Sequence, residues 1–228
     1  MKNKICDAII LAAGSSTRFK SILPKQFLKF NNKNLIDIAI ENLSLLKKIR
    51  NIYVVLSKNN IYKIKKGYSA IKIIEGGNTR TKSVFKSLKF LSKTKDLPDN
   101  ILIHDAARPC LDNKELEKFF EKANSSKIGL SLGYPLTNSL KKVNSKLQVI
   151  ENIKRDNFYM SFTPQIFNFT KLFLAYTDII NEEKNVDDEI EAMINSGHKV
   201  EIMMSSPKNI KLTYRGDIEV IKALMKKI

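Results

Sequence analysis

Residues 5–28 read ICDAIILAAGSSTRFKSILPKQFL. The apolar run over 5–13, interrupted only by Asp7, has the pattern of a strand buried on both faces. It ends in Ala12-Ala13-Gly14, small residues that let a backbone approach a ligand closely. In open α/β sheets ligands bind beyond the carboxyl ends of strands, where this loop must lie. Its backbone N–H groups can form an anion-binding concavity, and Arg18 and Lys25, seven residues apart, add two cations. A polyphosphate needs such donors around its oxygens and positive charge where negative charge grows during transfer. The competing reading is an ordinary strand-to-helix turn with solvated basic residues; Gly14, Arg18 and Pro24-Lys25-Gln26 together weigh against it. The loop is neither a P-loop nor a GxGxxG fingerprint, so ATPase and dehydrogenase readings lose support.

The same N-terminus could mimic a signal peptide, with Lys2 and Lys4 before the apolar run and Ala12 and Ala13 after it. A buried first strand is favoured, because the residues after Gly14 read as functional, and the cytoplasm is the expected location. No apolar run approaches the roughly 20 residues that span a bilayer, so no membrane partner is expected.

Downstream, strands and helices alternate at short spacing. Leu35–Lys48 carries apolar residues at helical intervals with Asn34 as N-cap, and Ile52–Leu56 and Ile71–Ile74 read as strands. Thr79–Leu91 reads as a helix with Val84, Leu88 and Leu91 on one side. Ile101–His104 is a fourth strand, followed by a helix from about Asp112. Leu172–Asn181 and Asp187–Asn195 read as helices, the latter closed by Gly197; a strand over Val200–Met204 and a helix from Asp217 follow. This order predicts one α/β domain over residues 1–228 with a right-handed, doubly wound, mostly parallel sheet. The alternation breaks at SLKKVNSKLQVIENI, residues 139–153, where apolar and polar residues alternate on both sides of Asn144-Ser145. That pattern predicts a protruding β-hairpin.

Two more strand ends carry candidate chemistry. In EGGNTRTKSV, residues 75–84, Gly76-Gly77 permits a sharp turn and Ser83 can hydrogen-bond a base or ribose. In HDAARP, residues 104–109, Asp105 can bind a hydroxyl or a magnesium ion, and Arg108 can fork onto phosphate. The bland alternatives are a capped helix start and an Asp–Arg pair that stiffens a loop. Further on stand Arg155, FTPQIF (162–167), Asp187-Asp188 at a helix start, and PKNIKLT (207–213).

The formal charge of +17 raises the question of nucleic acid. The 34 lysines are scattered along every segment and no basic-and-aromatic platform is present, so nucleic acid is not an expected partner. The arginines are more telling: four of six (Arg18, Arg80, Arg108, Arg155) fall inside the motifs. A planar bidentate donor is hard to replace by lysine, which points to defined geometry there. Two cysteines without CxxC spacing and two histidines exclude a zinc site.

Taken in order across residues 12–213, AAGxxxR with PKQ, GGxxRxxSV, HDAARP, R…TPQ and NIKLT resemble the 2-C-methyl-D-erythritol 4-phosphate cytidylyltransferases of non-mevalonate isoprenoid synthesis. The resemblance implies a Rossmann-like nucleotidyltransferase fold, CTP and a polyol phosphate as substrates, Mg2+, and a homodimer clasped by the arm at about 139–153. By motif, Arg18 and Lys25 match the catalytic pair on the triphosphate. Ala12, Ala13, Gly14, Gly77, Ser83, Asp105 and Ala106 match the CTP site; Arg108, Ser139, Arg155, Thr163 and Lys211 match the acceptor site. Magnesium would be held mainly by CTP phosphates, with Asp105 as a candidate protein ligand. The chain departs from the pattern at Ser16, where the family has a second glycine, at Asn138-Ser139 in place of Asp-Thr, and at Val186 in place of a threonine. Ribitol-5-phosphate cytidylyltransferases share most of these motifs, so a CDP-ribitol-forming enzyme is the alternative reading.

Overall fold

The structure is a computed structural model that describes residues 4–14, 19, 24–59, 62 and 71–226. The apolar run becomes β1 (Cys6–Leu11), in which Ala8, Ile9 and Ile10 are wholly buried. Because successive side chains point to opposite faces, Ala8 and Ile10 enter one core and Ile9 the other. A short 3-10 turn at Lys25–Phe27 leads to a two-stranded ribbon, β2 (Lys29–Phe30) with β3 (Lys33–Asn34). Helix α1 (Leu35–Ser44) follows; the Asn34 N–H donates to Asp37 Oδ2 at 3.3 Å, closing its first turn. Next come β4 (Ile49–Leu56), β5 (Ile71–Glu75), α2 (Arg80–Leu91), β6 (Asn100–Asp105) and α3 (Asn113–Ser125).

The second half holds β7 (Gly129–Pro135), β8 (Leu140–Val143), β9 (Val149–Ile153) and β10 (Tyr159–Asn168). It closes with α4 (Phe169–Asn181), α5 (Glu189–Asn195), β11 (Glu201–Met204) and α6 (Asp217–Met225). Among the described residues, seven strands form the main sheet in the order β11-β7-β10-β6-β1-β4-β5. β1 lies parallel to both β4 and β6, β4 to β5 and β11 to β7; β10 runs antiparallel to both its neighbours. The expected doubly wound, mostly parallel α/β sheet is therefore present. The antiparallel insertion of β10 beside β7 is a feature the sequence pattern did not indicate.

Residues of α1 and α3 pack in the core on one face of the sheet and residues of α2, α4 and α5 in the core on the other. A third cluster gathers Phe19, Leu35, Ala107, Leu212 and Ile221, fastening α6 and the chain before it beside the strand ends. The chain leaves β1 towards β4 on one side and returns through β6 on the other, so the sheet's switch point lies beside β1.

The hairpin expected at 139–153 is β8 with β9, a ribbon separate from the main sheet. Its turn is longer than the two residues expected. The Asn144 N–H donates to the Gln148 carbonyl at 3.0 Å, Asn144 Oδ1 accepts from Lys146 and Gln148, and Leu147 takes a left-handed φ of 61°. Val143, Leu147, Val149 and Ile150 are exposed on it.

Candidate active site

Four parallel strands end on one side of the sheet, and their carboxyl ends surround a cavity of about 530 Å³. From the end of β1 come Ala12, Ala13 and Gly14; from beyond β5 come Gly77 and Ser83; from the end of β6 come Asp105 and Ala106. Lys25 and Lys211 complete the set, carried by the 3-10 turn and by the segment before α6. Residues from 11 to 213 thus meet where the sheet's winding reverses.

The walls are held by specific bonds. Gln26 Nε2 donates to the carbonyls of Ala12 and Gly14 at 2.7 and 3.1 Å, fixing the loop beyond β1. Gly77 N–H donates to Ser83 Oγ at 3.0 Å, and that hydroxyl donates in turn to the Thr79 carbonyl at 2.8 Å. A Cβ on Gly77 would stand 2.5 Å from Lys82 Cβ, and one on Gly76 2.8 Å from Ala13 Cβ, so the turn has no room for side chains at either position. Lys86 Nζ secures the turn through the Gly76 carbonyl at 2.9 Å.

At the floor lies a charged group of residues. Lys211 Nζ is 2.6 Å from Asp105 Oδ2, and Arg80 Nη2 is 3.8 Å from Asp105 Oδ1. Burial pushes the Asp105 pKa up, but Lys211, Arg80 and Arg108 outweigh it and hold the carboxyl well below its ordinary range. Lys25 Nζ donates to the Leu212 carbonyl at 2.6 Å, so its ammonium is oriented along the cavity wall.

Thr163 stands behind this floor. Its hydroxyl accepts from the Asp105 N–H at 3.0 Å and lies 3.2 Å from His104 Nδ1. His104 Nε2 is 3.2 Å from the Arg108 carbonyl, which can only accept. The network therefore assigns the proton to Nε2 and leaves Nδ1 to accept from Thr163. Burial lowers the His104 pKa to about 4, consistent with a neutral ring.

Not every candidate reaches the cavity. Arg108 is turned inward: its Nη1 donates to the Asn209 carbonyl at 2.7 Å and its guanidinium sits 5.0 Å from the Phe162 ring centroid. Of the fork expected to meet phosphate, Nη1 is bonded to the protein and Nε is buried without a hydrogen-bond partner. Thr163 orients Asp105 rather than lining the cavity. Ser139 and Arg155 line a second, more open depression of about 490 Å³ at the base of the hairpin, where Arg155 donates to the Thr137 carbonyl. Arg18 and Ser16 lie outside the described residues. Val186 places its side chain in the core, and its backbone N–H and carbonyl both bond Thr81 Oγ1, at 3.0 and 3.2 Å.

Three contributors were missed as site residues: Gln26, Arg80 and Glu189. Gln26 stood in the quoted Pro-Lys-Gln run, and Arg80 among the arginines within motifs, so signals existed for both. Glu189 carried none, as one acid among several at a helix start. Asp188, its neighbour, caps α5 by accepting from the Glu191 N–H at 3.0 Å.

Residues 6–227 match the family model IspD, 2-C-methyl-D-erythritol 4-phosphate cytidylyltransferase. The chain belongs to that family. A relative from Thermosipho africanus (strain TCF52B), named 2-C-methyl-D-erythritol 4-phosphate cytidylyltransferase, is 35% identical over 217 residues, covering 93% of this chain and 95% of the relative. The solved structure of the Francisella tularensis enzyme of the same name superposes with a TM-score of 0.82 at 28% identity, covering 96% of this chain and 99% of that one. A crystal structure titled 4-diphosphocytidyl-2C-methyl-D-erythritol synthase gives a TM-score of 0.84 at 25% identity, with 99% and 100% coverage. The fold and the family match therefore both extend along nearly the whole chain.

Proposed function

We propose that this cavity transfers the cytidylyl group of CTP to 2-C-methyl-D-erythritol 4-phosphate, releasing pyrophosphate. The observation that supports this most is the meeting of the Ala12–Gly14 loop, the Gly77 turn, Lys25 and the Asp105–Lys211 pair in one cavity. The acceptor's phosphate oxygen attacks the α-phosphorus, a new P–O bond forms, and the bond to the β-phosphate oxygen breaks. A phosphomonoester is already largely ionised near neutrality, so no general base is needed. Catalysis then rests on positioning and charge neutralisation. Lys25, with Arg18, holds the triphosphate; the Gly77 and Ser83 turn reads cytosine; Asp105 and Ala106 meet the ribose; Lys211 holds the acceptor.

Magnesium belongs to the proposal as an ion carried by the triphosphate. Among the described residues no group of three or more acids, histidines or cysteines could cage a metal. One carboxylate, Asp105, faces the cavity. That donor set suits Mg2+, which keeps several waters and takes one or two carboxylates together with substrate phosphates. When bound, the ion neutralises phosphate charge.

The same proposal includes assembly. Val143, Leu147, Val149 and Ile150 are exposed on a two-stranded ribbon that is marginal alone in water, so the arm clasps a second copy. Arg155, at the arm's base and in the second depression, then completes the acceptor site of the neighbouring subunit. Among the described residues no helix is long and apolar enough to cross a membrane, and the reaction is assigned to the cytoplasm.

Purified protein incubated with CTP and a panel of polyol phosphates tests the reading through pyrophosphate release. Methylerythritol phosphate should give the highest kcat/KM, in line with the relatives' names, and CTP should outpace UTP. A higher kcat/KM with ribitol 5-phosphate would overturn the acceptor, and no release with any acceptor would overturn the reaction.

A further inference from the structure

We infer that Glu189 is a positioning residue that sets nucleotide choice from behind the base-reading turn, by locking Arg80. This rests on the reading that the cavity holds CTP. Glu189 is completely buried at the first residue of α5. Its carboxylate takes both arms of the Arg80 guanidinium, at 2.8 and 2.9 Å, and Oε1 also accepts from Tyr176 OH at 3.0 Å. A planar fork held at two points fixes the orientation of the whole head group, which a single point charge would not do.

What the lock controls is visible in the next few residues. Arg80 is the first residue of α2, and the chain just before it, Gly77 to Thr79, forms one wall of the cavity. Its neighbour Thr81 makes two further bonds to the backbone of Val186. Two successive residues at the start of α2 are therefore fastened to the segment 186–189. Removing the fork leaves the turn held from Thr81 alone on that side.

Charge points the same way. Glu189 neutralises Arg80, so Asp105 is left to its shorter contact with Lys211, at 2.6 Å against 3.8 Å for Arg80. With Glu189 neutral, the full charge of Arg80 faces Asp105 and draws it from Lys211. Added positive charge in the cavity would act on every nucleoside triphosphate alike. A displaced turn would act on the base alone, and that difference isolates the inference.

The experiment measures kcat/KM for CTP and for UTP in the wild type, Glu189→Gln and Tyr176→Phe. Glu189→Gln keeps the shape but loses the charged fork; the preference for CTP over UTP should fall about tenfold, the order expected for a small misplacement. Tyr176→Phe removes the other bond to Glu189 and leaves the fork, so stability drops while the preference stays. If Glu189→Gln fails to fold, Glu189→Asp keeps the buried charge but shortens its reach, and the same ratio decides. A wild-type preference in the variant, whatever its Tm, overturns this inference alone. A wild type that does not turn over CTP overturns the functional reading and this inference with it.

Discussion

Lys211 and Asp105, 106 positions apart in the chain, meet at 2.6 Å on the floor of the cavity. The segment before α6 thereby reaches the end of β6, and its ammonium is the largest of the charges that keep Asp105 ionised against burial.

Lys211→Met should therefore move the acid limb of the kcat/KM profile upward. In the wild type Asp105 stays ionised well below the usual carboxylate range. Without Lys211, Arg80 and Arg108 are left to oppose burial, so the carboxyl protonates at higher pH than in the wild type. A pH–rate profile down to the edge of stability checks this. An unmoved acid limb, even with a slower enzyme, would show that Asp105 does not depend on Lys211.

Gly77→Ala should disturb the nucleotide wall. The added Cβ would meet Lys82 Cβ at 2.5 Å and the Lys82 backbone carbonyl carbon at 2.9 Å, so the turn must shift. We expect kcat/KM for CTP to fall roughly 10- to 100-fold, the scale of a small misplacement of a bound substrate. Wild-type kinetics in a folded variant would place the base elsewhere.

Folding stability should decline between about pH 6.5 and about 4 through His104. Its folded pKa lies below its unfolded value of 6.5, so the unfolded chain binds the extra proton in that window and stability is lost as pH falls. The loss, on the order of 3 kcal/mol in all, levels out below the folded pKa. Urea unfolding at several pH values, wild type against His104→Gln, reads it. Equal pH slopes for both proteins would refute the assignment of a neutral, proton-excluding ring.

Mixing Arg155→Ala protein with Lys25→Ala protein tests the shared site. If each site takes Lys25 from one chain and Arg155 from its partner, mixed dimers regain one intact site and activity partly returns. No recovery after proven subunit exchange would place Arg155 in its own chain's site.

The sequence pattern exposed the strands that are apolar on both faces and the helices with a clean stripe, which is why β1, β4, β6 and α2 were readable. It hid β7 and β10. Those strands carry Gly129, Gly133 and Pro164, and bury Ser131, Thr163 and Gln165, so their hydrophobic period is interrupted by polar groups that find partners only in three dimensions. Ser131 Oγ bonds the Phe162 carbonyl and Gln165 Nε2 bonds Asp188. The same limit governed the site. Spacing placed Asp105, Gly77 and Lys25 at strand ends or in loops, where backbone direction decides what they face. It could not tell that Arg108, three residues past Asp105, turns back over Phe162, nor that Glu189 lies behind the cavity holding Arg80.

The antiparallel β7–β10 pair makes the arm separable from the sheet. Pro135 already sits opposite Tyr159, and the Leu136 N–H donates to the Phe158 carbonyl at 2.9 Å. The strands on either side of the arm are thus joined before the arm begins, and a tight turn could close them without it. Length, sequence and even presence of the ribbon are free to drift without unpicking the sheet that carries Asp105 and the loop beyond β1. The sheet that carries Asp105 and the ribbon that carries the exposed apolar face are folded from different stretches of one chain.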